Sequence, residues 1–516
     1  MALYIYYSLL LHLLPLAAST TFNPGTGNSF GRPNQNETYD YVVIGRGTAR
    51  LAVAMRLVEN TSYTVAVVEA GGFYQIENAG VNNRSLHYAR GKTLGSSSAP
   101  NANIYNRGTR GSYQQWADIV GDDSYLFDNW LPYFAKGTNY TSPNATFRAA
   151  NATVPKPANL SSLYNGGPVH ISYPNFALPF TSWAQKAFNS LGFQNISGFS
   201  IMFSGKKTAT AVKVRSGTDD HFLTARKEIV SSAGAFQSPQ LLVASDIGPA
   251  QTLAQYNISV VADRPGVGQN MWDNVDIEVT WKVGVVGFNT LANSTFTGQQ
   301  TQLFQNELAS SIYGNYGAEY IGWEKLPEPY RSDLSATTFI CQGYRATTNG
   351  CGTFIVVPVS PISRGNITLQ SNTMLGPPIT NPNWLTTETD KDLALQALKQ
   401  GRAIISSAAM KAILIGNETA PGQLVQTDDE LNEYIRDNFF MNWHAAATCR
   451  MGESNDSLAV VDSKARVIGV SGLRVVDASA FALLPPVILS QPRIGWRRRL
   501  ALISLRIVQL RVPEYR

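Results

Sequence analysis

Cysteine is scarce in this chain: three among 516 residues, Cys341, Cys351 and Cys449. That is too few for a scaffold built on disulfides. Cys341 and Cys351 stand close enough in sequence to close a small loop, whereas Cys449 has no obvious partner. Histidine is also sparse, with five, and none is spaced from another histidine, cysteine or carboxylate as a metal site requires, so no metal is expected. The G-x-S-x-G elbow of serine hydrolases is missing. Charged residues make up only 15% of the chain. The formal charge of +5 comes from the end of the sequence, because residues 487–516 hold seven of the 41 basic residues and one of the 36 acidic ones. The body, with 34 bases against 35 acids, is near neutral. It has no basic stripe interleaved with aromatics, which excludes a nucleic-acid binder.

What is present is a large apolar fraction, 44% of the residues, enough for an extensive core and for more than one domain. The opening MALYIYYSLLLHLLPLAAST is an apolar run ending in small residues. It reads as a secretory signal over residues 1–19, without the usual positive start; Pro15 and the short run make a poor membrane span. Thirteen N-x-S/T sequons follow, including Asn36, Asn139, Asn144, Asn151, Asn195 and Asn366. They fit a secreted, glycosylated product with no membrane association beyond the signal.

After a polar linker, YDYVVIGRGTARLAVAMRL (39–57) predicts a strand over Tyr41–Ile44, a glycine turn, and a helix with Leu51, Val53, Ala54 and Leu57 on one face. TVAVVEAGG (64–72) predicts a second strand ending in an acid. This is the start of a βαβ unit. Gly45 permits the tight turn and Gly47 lets backbone N–H groups approach a pyrophosphate. Thr48 and Ala49 open the helix beside it, and Glu69, followed by Ala70, is placed to accept from ribose hydroxyls. Arg50 occupies the position where the fingerprint wants its third glycine for close helix–sheet packing, which predicts weakened cofactor binding.

Further on, residues 139–165 read as an exposed glycosylated loop, Trp183–Leu191 as a short helix, and Ala209–Arg215 and Phe222–Ser232 as strands. Gly352–Pro358 and Asn366–Gln370 suggest strands of a second sheet, and Asp390–Met410 a long amphipathic helix.

Five blocks, in order, resemble the glucose-methanol-choline (GMC) flavoprotein oxidoreductases, in particular their fungal secreted branch. The first is the nucleotide fingerprint. The second, RGKTLGSSSAPNANIYNRGTRGSYQQWAD (90–118), resembles the family's loop over the flavin. It keeps Gly95 but has Ser96 in place of a glycine, and by resemblance Asn101, Ala102, Asn103 and Ile104 lie against the isoalloxazine. The third, GAFQSPQLLVASDIGP (234–249), carries Asp246 where glycine is usual. If that position needs a positive φ, aspartate is the least costly strained replacement. The fourth, PGVGQNMWDN (265–274), reads as scaffold. The fifth joins NWHAAATCRMG (442–452), whose His444 matches the catalytic histidine, to VSGLRVVDASAF (470–481), whose Asp477 and Ala478 approach the flavin and its phosphates.

The resemblance implies an α/β fold, α+β overall, in which a Rossmann-like FAD-binding domain is interleaved with an antiparallel-sheet substrate-binding domain. The implied segments are 39–160, 206–285 and 437–486 for the cofactor domain, and 161–200 and 286–436 for the substrate domain. FAD is the implied cofactor, a small-molecule alcohol the substrate and O2 a candidate electron acceptor. In alcohol oxidation a neutral imidazole suits removal of the hydroxyl proton while hydride leaves carbon for the flavin. Two other functions stay open: a cyclase or dehydratase like versicolorin B synthase, with no net redox change, and an inactive remnant.

The chain departs from the family in three regions. Segments are missing between Tyr74 and Asn82 and between Phe199 and Lys206. After Pro486 the family continues as G-H-P-Q-S-T with a second active-site histidine, whereas this sequence continues from Val487 without it. A reading frame moved by one base can give both that segment and the Ala-Glu-Lys-Ile that follows, with two bases of every shifted codon dictated by the residues present. Residues 487–516 therefore read as an out-of-frame tail, against the alternative of a basic amphipathic arm.

Overall fold

The computed structural model describes residues 35–485 apart from short interruptions and the longer stretches 69–78, 87–107, 149–165, 188–208, 315–320 and 333–340. The leader, the block at 90–107, the gap between Phe199 and Lys206, the gap between Tyr74 and Asn82 apart from residues 79–81, and the tail from Val487 lie outside the described residues.

The first strand, β1 (Glu37–Ile44), buries Tyr41, Val42 and Val43 in succession, as a strand covered on both faces must. It runs parallel to β2 (Val65–Val68) on one side. Between them, helix α1 (Thr48–Val58) turns Val53 and Leu57, one turn apart, into the core, while Ala54 is half-buried. Helix α2 (Arg110–Val120) is capped by Thr109, whose Oγ1 accepts from Ser112 N at 3.2 Å, and stops at Gly121 in the left-handed region. Its Trp116 stacks on Tyr125 and meets Phe481, with ring centroids 5.7 and 5.1 Å apart.

The expected strand pair forms an antiparallel hairpin, β3 (Ala211–Ser216) against β4 (Asp219–Ser231). β4 runs parallel to β1 along its other edge. The late strand Leu473–Val475 joins β4 in parallel at Ile229–Ser231, so the sheet order is Leu473–Val475, β4, β1, β2. Arg474 is buried within it and makes two bonds to the Glu228 carboxylate, at 2.8 and 2.9 Å. Helix α3 (Gly234–Val243) follows β4 directly.

The second sheet is antiparallel. It comprises β5 (Val275–Val283), β6 (Ile321–Lys325), β7 (Cys341–Asn349), β8 (Cys351–Pro358), helix α4 (Glu388–Ile405) on its face, β9 (Leu414–Ala420), helix α5 (Asp428–Asn438) and β10 (Phe440–Met441), with strand order β6-β7-β8-β5-β9 and β10 beside β5. α4 packs closely because Gly401 faces the sheet: a Cβ there would come within 2.7 Å of Val356. Val275 and Asp276 pair with β10, Ile277–Lys282 with β8 and Thr280–Val283 with β9, so the chain enters this sheet before residue 285.

Three local expectations are corrected. The helix expected over Asp390–Met410 ends at Ile405, and Ser406–Ser407 separate it from a short helix, Ala408–Lys411. Asn366–Thr368 pairs with Ile379–Asn381 in a separate two-stranded ribbon rather than with the second sheet. Cys341 and Cys351 cannot close a loop, because β7 runs the full distance between them: Cys341 lies beyond the Gln342–Pro358 pair, and Cys351 pairs with Asn349 at the other end. Strand rise puts their backbones about 25 Å apart, far beyond disulfide reach.

Candidate active site

The register of the first sheet brings its strand ends level. Ile44 pairs with both Val68 and Ser231, and Ser231 pairs with Val475. Ser232 N donates to Ile44 O at 3.3 Å and Val476 N to Ser231 O at 2.7 Å. Gly45, Ser232 and the Val476–Asp477 step therefore share one carboxyl edge, where open α/β sheets bind their ligands. At that edge Gly45 adopts φ 85°, open to glycine without strain, and its N–H donates to Val68 O.

Both oxygens of Asp477 are held by the chain. Oδ2 accepts from Gly234 N at 2.8 Å and Ser238 Oγ at 2.6 Å, and Oδ1 accepts from Ser479 N at 2.7 Å. This carboxylate locks the amino end of α3 to the turn that follows Leu473–Val475 (β11). Burial and the charge of Asp477 push the Cys449 thiol far up, so it stays protonated beside the site.

The His444 segment reaches the same edge. Ala447 N donates to Ala478 O at 2.9 Å, Cys449 N to Ser479 O at 2.7 Å, and Thr448 Oγ1 to Ala235 O at 2.6 Å. His444 is 8% exposed and its backbone N–H donates to Asp273 Oδ1 at 2.8 Å. On the far side of His444 the segment is fixed to the strand that becomes β5: Asn442 N donates to Asn274 O at 3.0 Å, and its side-chain amide to Asp276 Oδ1. Trp443, between these fixed points, has φ 56°, a conformation most side chains avoid.

Of the residues singled out from sequence, Gly45, Asp477 and Ala478 share one end of one sheet, and the segment carrying His444 is bonded to that end through Ala447 N and Ala478 O. Thr48 and Ala49 begin α1, but their side chains, and Gly47, Glu69, Ala70, Gly95, Asn101, Ala102, Asn103 and Ile104, lie outside the described residues. Sequence reasoning passed over Ser238, which braces Asp477, and Asp273 in the segment taken for scaffold. The only signal for Asp273 was an acid in a glycine-rich block.

An anionic dinucleotide fits this edge. α1 carries no acidic residue of its own in its first turn, and the positive end of a helix favours an anion. Ser232 Oγ is buried at the same edge with no hydrogen-bond partner among the described residues, as expected of a group that would meet a ligand.

Comparison with known proteins agrees. Two family models described as GMC oxidoreductase match, one over residues 39–198 and 183–276 and the other over 361–490. The chain is 40% identical to patulin synthase of Aspergillus clavatus over 587 aligned residues, covering 91% of this chain and 93% of the relative. It is 34% identical to versicolorin B synthase of Aspergillus parasiticus, covering 88% and 85%. An alignment of 587 positions exceeds the 516-residue chain, so that relative carries internal segments this chain lacks. The fold matches an FAD-dependent oxidoreductase from Chaetomium thermophilum with TM-score 0.80 at 23% identity, covering 91% of this chain and 100% of the other. It also matches a fungal aryl-alcohol oxidase with TM-score 0.78 at 22% identity, covering 91% and 99%. A parallel sheet ending in this cradle, a histidine segment bonded to its rim, and matches along most of the chain lead to one assignment: the chain belongs to the GMC oxidoreductase family, enzymes that use FAD.

Proposed function

We propose that the protein oxidises a primary or secondary alcohol, aryl or secondary-metabolite in type, with His444 as the base. The observation that carries this reading is the backbone bond from Ala447 to Ala478 O, which ties the histidine segment to the rim of the sheet edge holding Gly45. His444 takes the hydroxyl proton on its imidazole, which is largely shielded from water at 8% exposure; imidazole is a side chain suited to that task. FAD, when bound, supplies the hydride acceptor. Gly45, Gly47, Thr48, Ala49 and Ser232 would hold its phosphates and Glu69 and Ala70 its ribose. Gly95 and Asn101–Ile104 would lie against its ring. Asp477 orients the Ala478 turn at the same sheet edge.

O2 is the proposed terminal acceptor, and secretion is supported by the apolar opening residues and the sequons. No helix among the described residues is long and apolar enough to cross a membrane.

Anaerobic mixing of the flavin-loaded protein with benzylic alcohols tests the reading: bleaching of the oxidised flavin band is expected, and its loss in His444→Ala. The 34% identity to versicolorin B synthase favours a second reading, a cyclisation using the same imidazole as acid and base. Product formation with the flavin band unchanged throughout would select it.

A further inference from the structure

We propose that Asp273 is a positioning residue for His444, holding a strained turn in the geometry that aims the imidazole. This rests on the reading of His444 as the base. Asp273 is 4% exposed, and its Oδ1 accepts from both His444 N, at 2.8 Å, and Asn274 N, at 2.9 Å. A buried carboxylate is costly unless hydrogen-bonded, and N–H bonds to an ionised acceptor are among the stronger ones.

The strain lies one residue away. Trp443 is left-handed at φ 56°, and such a residue persists only where its surroundings over-determine it. Here the clamp has three parts, all from one stretch, Trp272–Asp276. Asn442 is bonded through backbone and side chain to Asn274 and Asp276, His444 through its N–H to Asp273, and Ala446 to Trp272 in both directions at 2.9 and 3.0 Å. Of these, only the Asp273 bond reaches the histidine itself. Without it, the turn relaxes at Trp443, and the Cα–Cβ direction of His444 moves with it. A displacement of about 1 Å at a catalytic group costs on the order of a hundredfold in rate.

The test compares Asp273→Ala, Asp273→Asn and His444→Ala in the full-length protein. Carbethoxylation by diethyl pyrocarbonate, followed by mass spectrometry, reads His444 directly, and His221, 6% exposed on β4, serves as an internal gauge of general loosening. In Asp273→Ala the modification rate of His444 rises about tenfold through local opening while that of His221 is unchanged. Asp273→Asn, which keeps an acceptor oxygen, restores most of the protection. Turnover follows the same order, with kcat in Asp273→Ala falling about 10- to 100-fold and KM for the alcohol moving less than about threefold. Equal acceleration at both histidines, no acceleration at His444, or no rescue by asparagine overturns the proposal. Undiminished turnover in His444→Ala would overturn the functional reading alone, because the modification rates do not depend on catalysis.

Discussion

Replacing Asp477 with alanine removes a carboxylate that three protein donors share, and the cost follows from where each donor sits. Ser479 is fully buried, so its N–H loses its acceptor with no access to water, at about 2 kcal/mol. Gly234 is only half-buried, and partial hydration limits its loss to about 1 kcal/mol. Ser238 Oγ still receives Ala233 N at 3.0 Å and lies 3.2 Å from Ser231 Oγ, so its hydroxyl turns to another partner at little cost. The expected destabilisation is about 3 kcal/mol. Asp477→Asn keeps one good acceptor: its oxygen serves Ser479 N, its amide nitrogen faces the adaptable serine, and Gly234 N alone is stranded, for about 1 to 2 kcal/mol. Urea unfolding followed by tryptophan fluorescence orders the three proteins as wild type, asparagine, alanine. An alanine variant within about 1 kcal/mol of wild type, or one more stable than the asparagine variant, would refute the claim that this carboxylate locks α3 to the strand end.

Other substitutions probe separate features. Asp246 stands at φ 67° with its carboxylate on Ser259 Oγ at 2.7 Å. Asp246→Gly should leave the midpoint of unfolding nearly unchanged, relieved backbone offsetting the lost bond, whereas the β-branched Asp246→Val should cost about 2 kcal/mol. Glu228→Gln leaves the buried Arg474 guanidinium without its counter-charge, and a loss of about 3 to 5 kcal/mol is expected in denaturant melts. Hydrogen bonding to Arg226 is the main cause holding the Asp40 carboxyl down at about 2, with Thr64 adding to it, below the unfolded value of about 3.9. A depressed folded pKa stabilises above the unfolded value, so the wild type should exceed Asp40→Asn in stability above about pH 4 and lose that margin as pH falls toward 2. A margin that widens on acidification contradicts the pairing.

The legible parts of the sequence were those in which local pattern and tertiary demand coincide. Tyr41–Ile44, the turn at Gly45 and the Val53/Leu57 face of α1 follow from apolar period and glycine alone, because a parallel strand between two neighbours must be apolar on both sides. The left-handed backbone at Asp246 was legible from a glycine expected there. What could not be read depends on register between distant segments. Nothing near Asn366 shows that its strand pairs with Ile379–Asn381 instead of joining the second sheet, and nothing near Cys341 shows that the next cysteine lies at the far end of a hairpin. Asp477 was expected near the cofactor for its resemblance, yet its hydrogen bonds to Gly234 and Ser238 lie 243 and 239 residues away in sequence. His444 stood out by the resemblance of its segment; Asp273, which bonds its backbone, is one acid among many until the fold brings the two together.

The outer edge of β4 is covered in two instalments, Asp219–Thr224 by its hairpin partner and Ile229–Ser231 by β11. The second cover is encoded more than 240 residues downstream, so on the ribosome the nascent chain must emit the whole antiparallel unit before the gap is filled. At about 5–20 residues per second that wait lasts on the order of ten seconds or more, with bare amide and carbonyl groups available to any passing strand. Yield in a heterologous host should accordingly be governed by chaperone capacity during translation, and synthesis stopped short of Leu473 should deliver insoluble material.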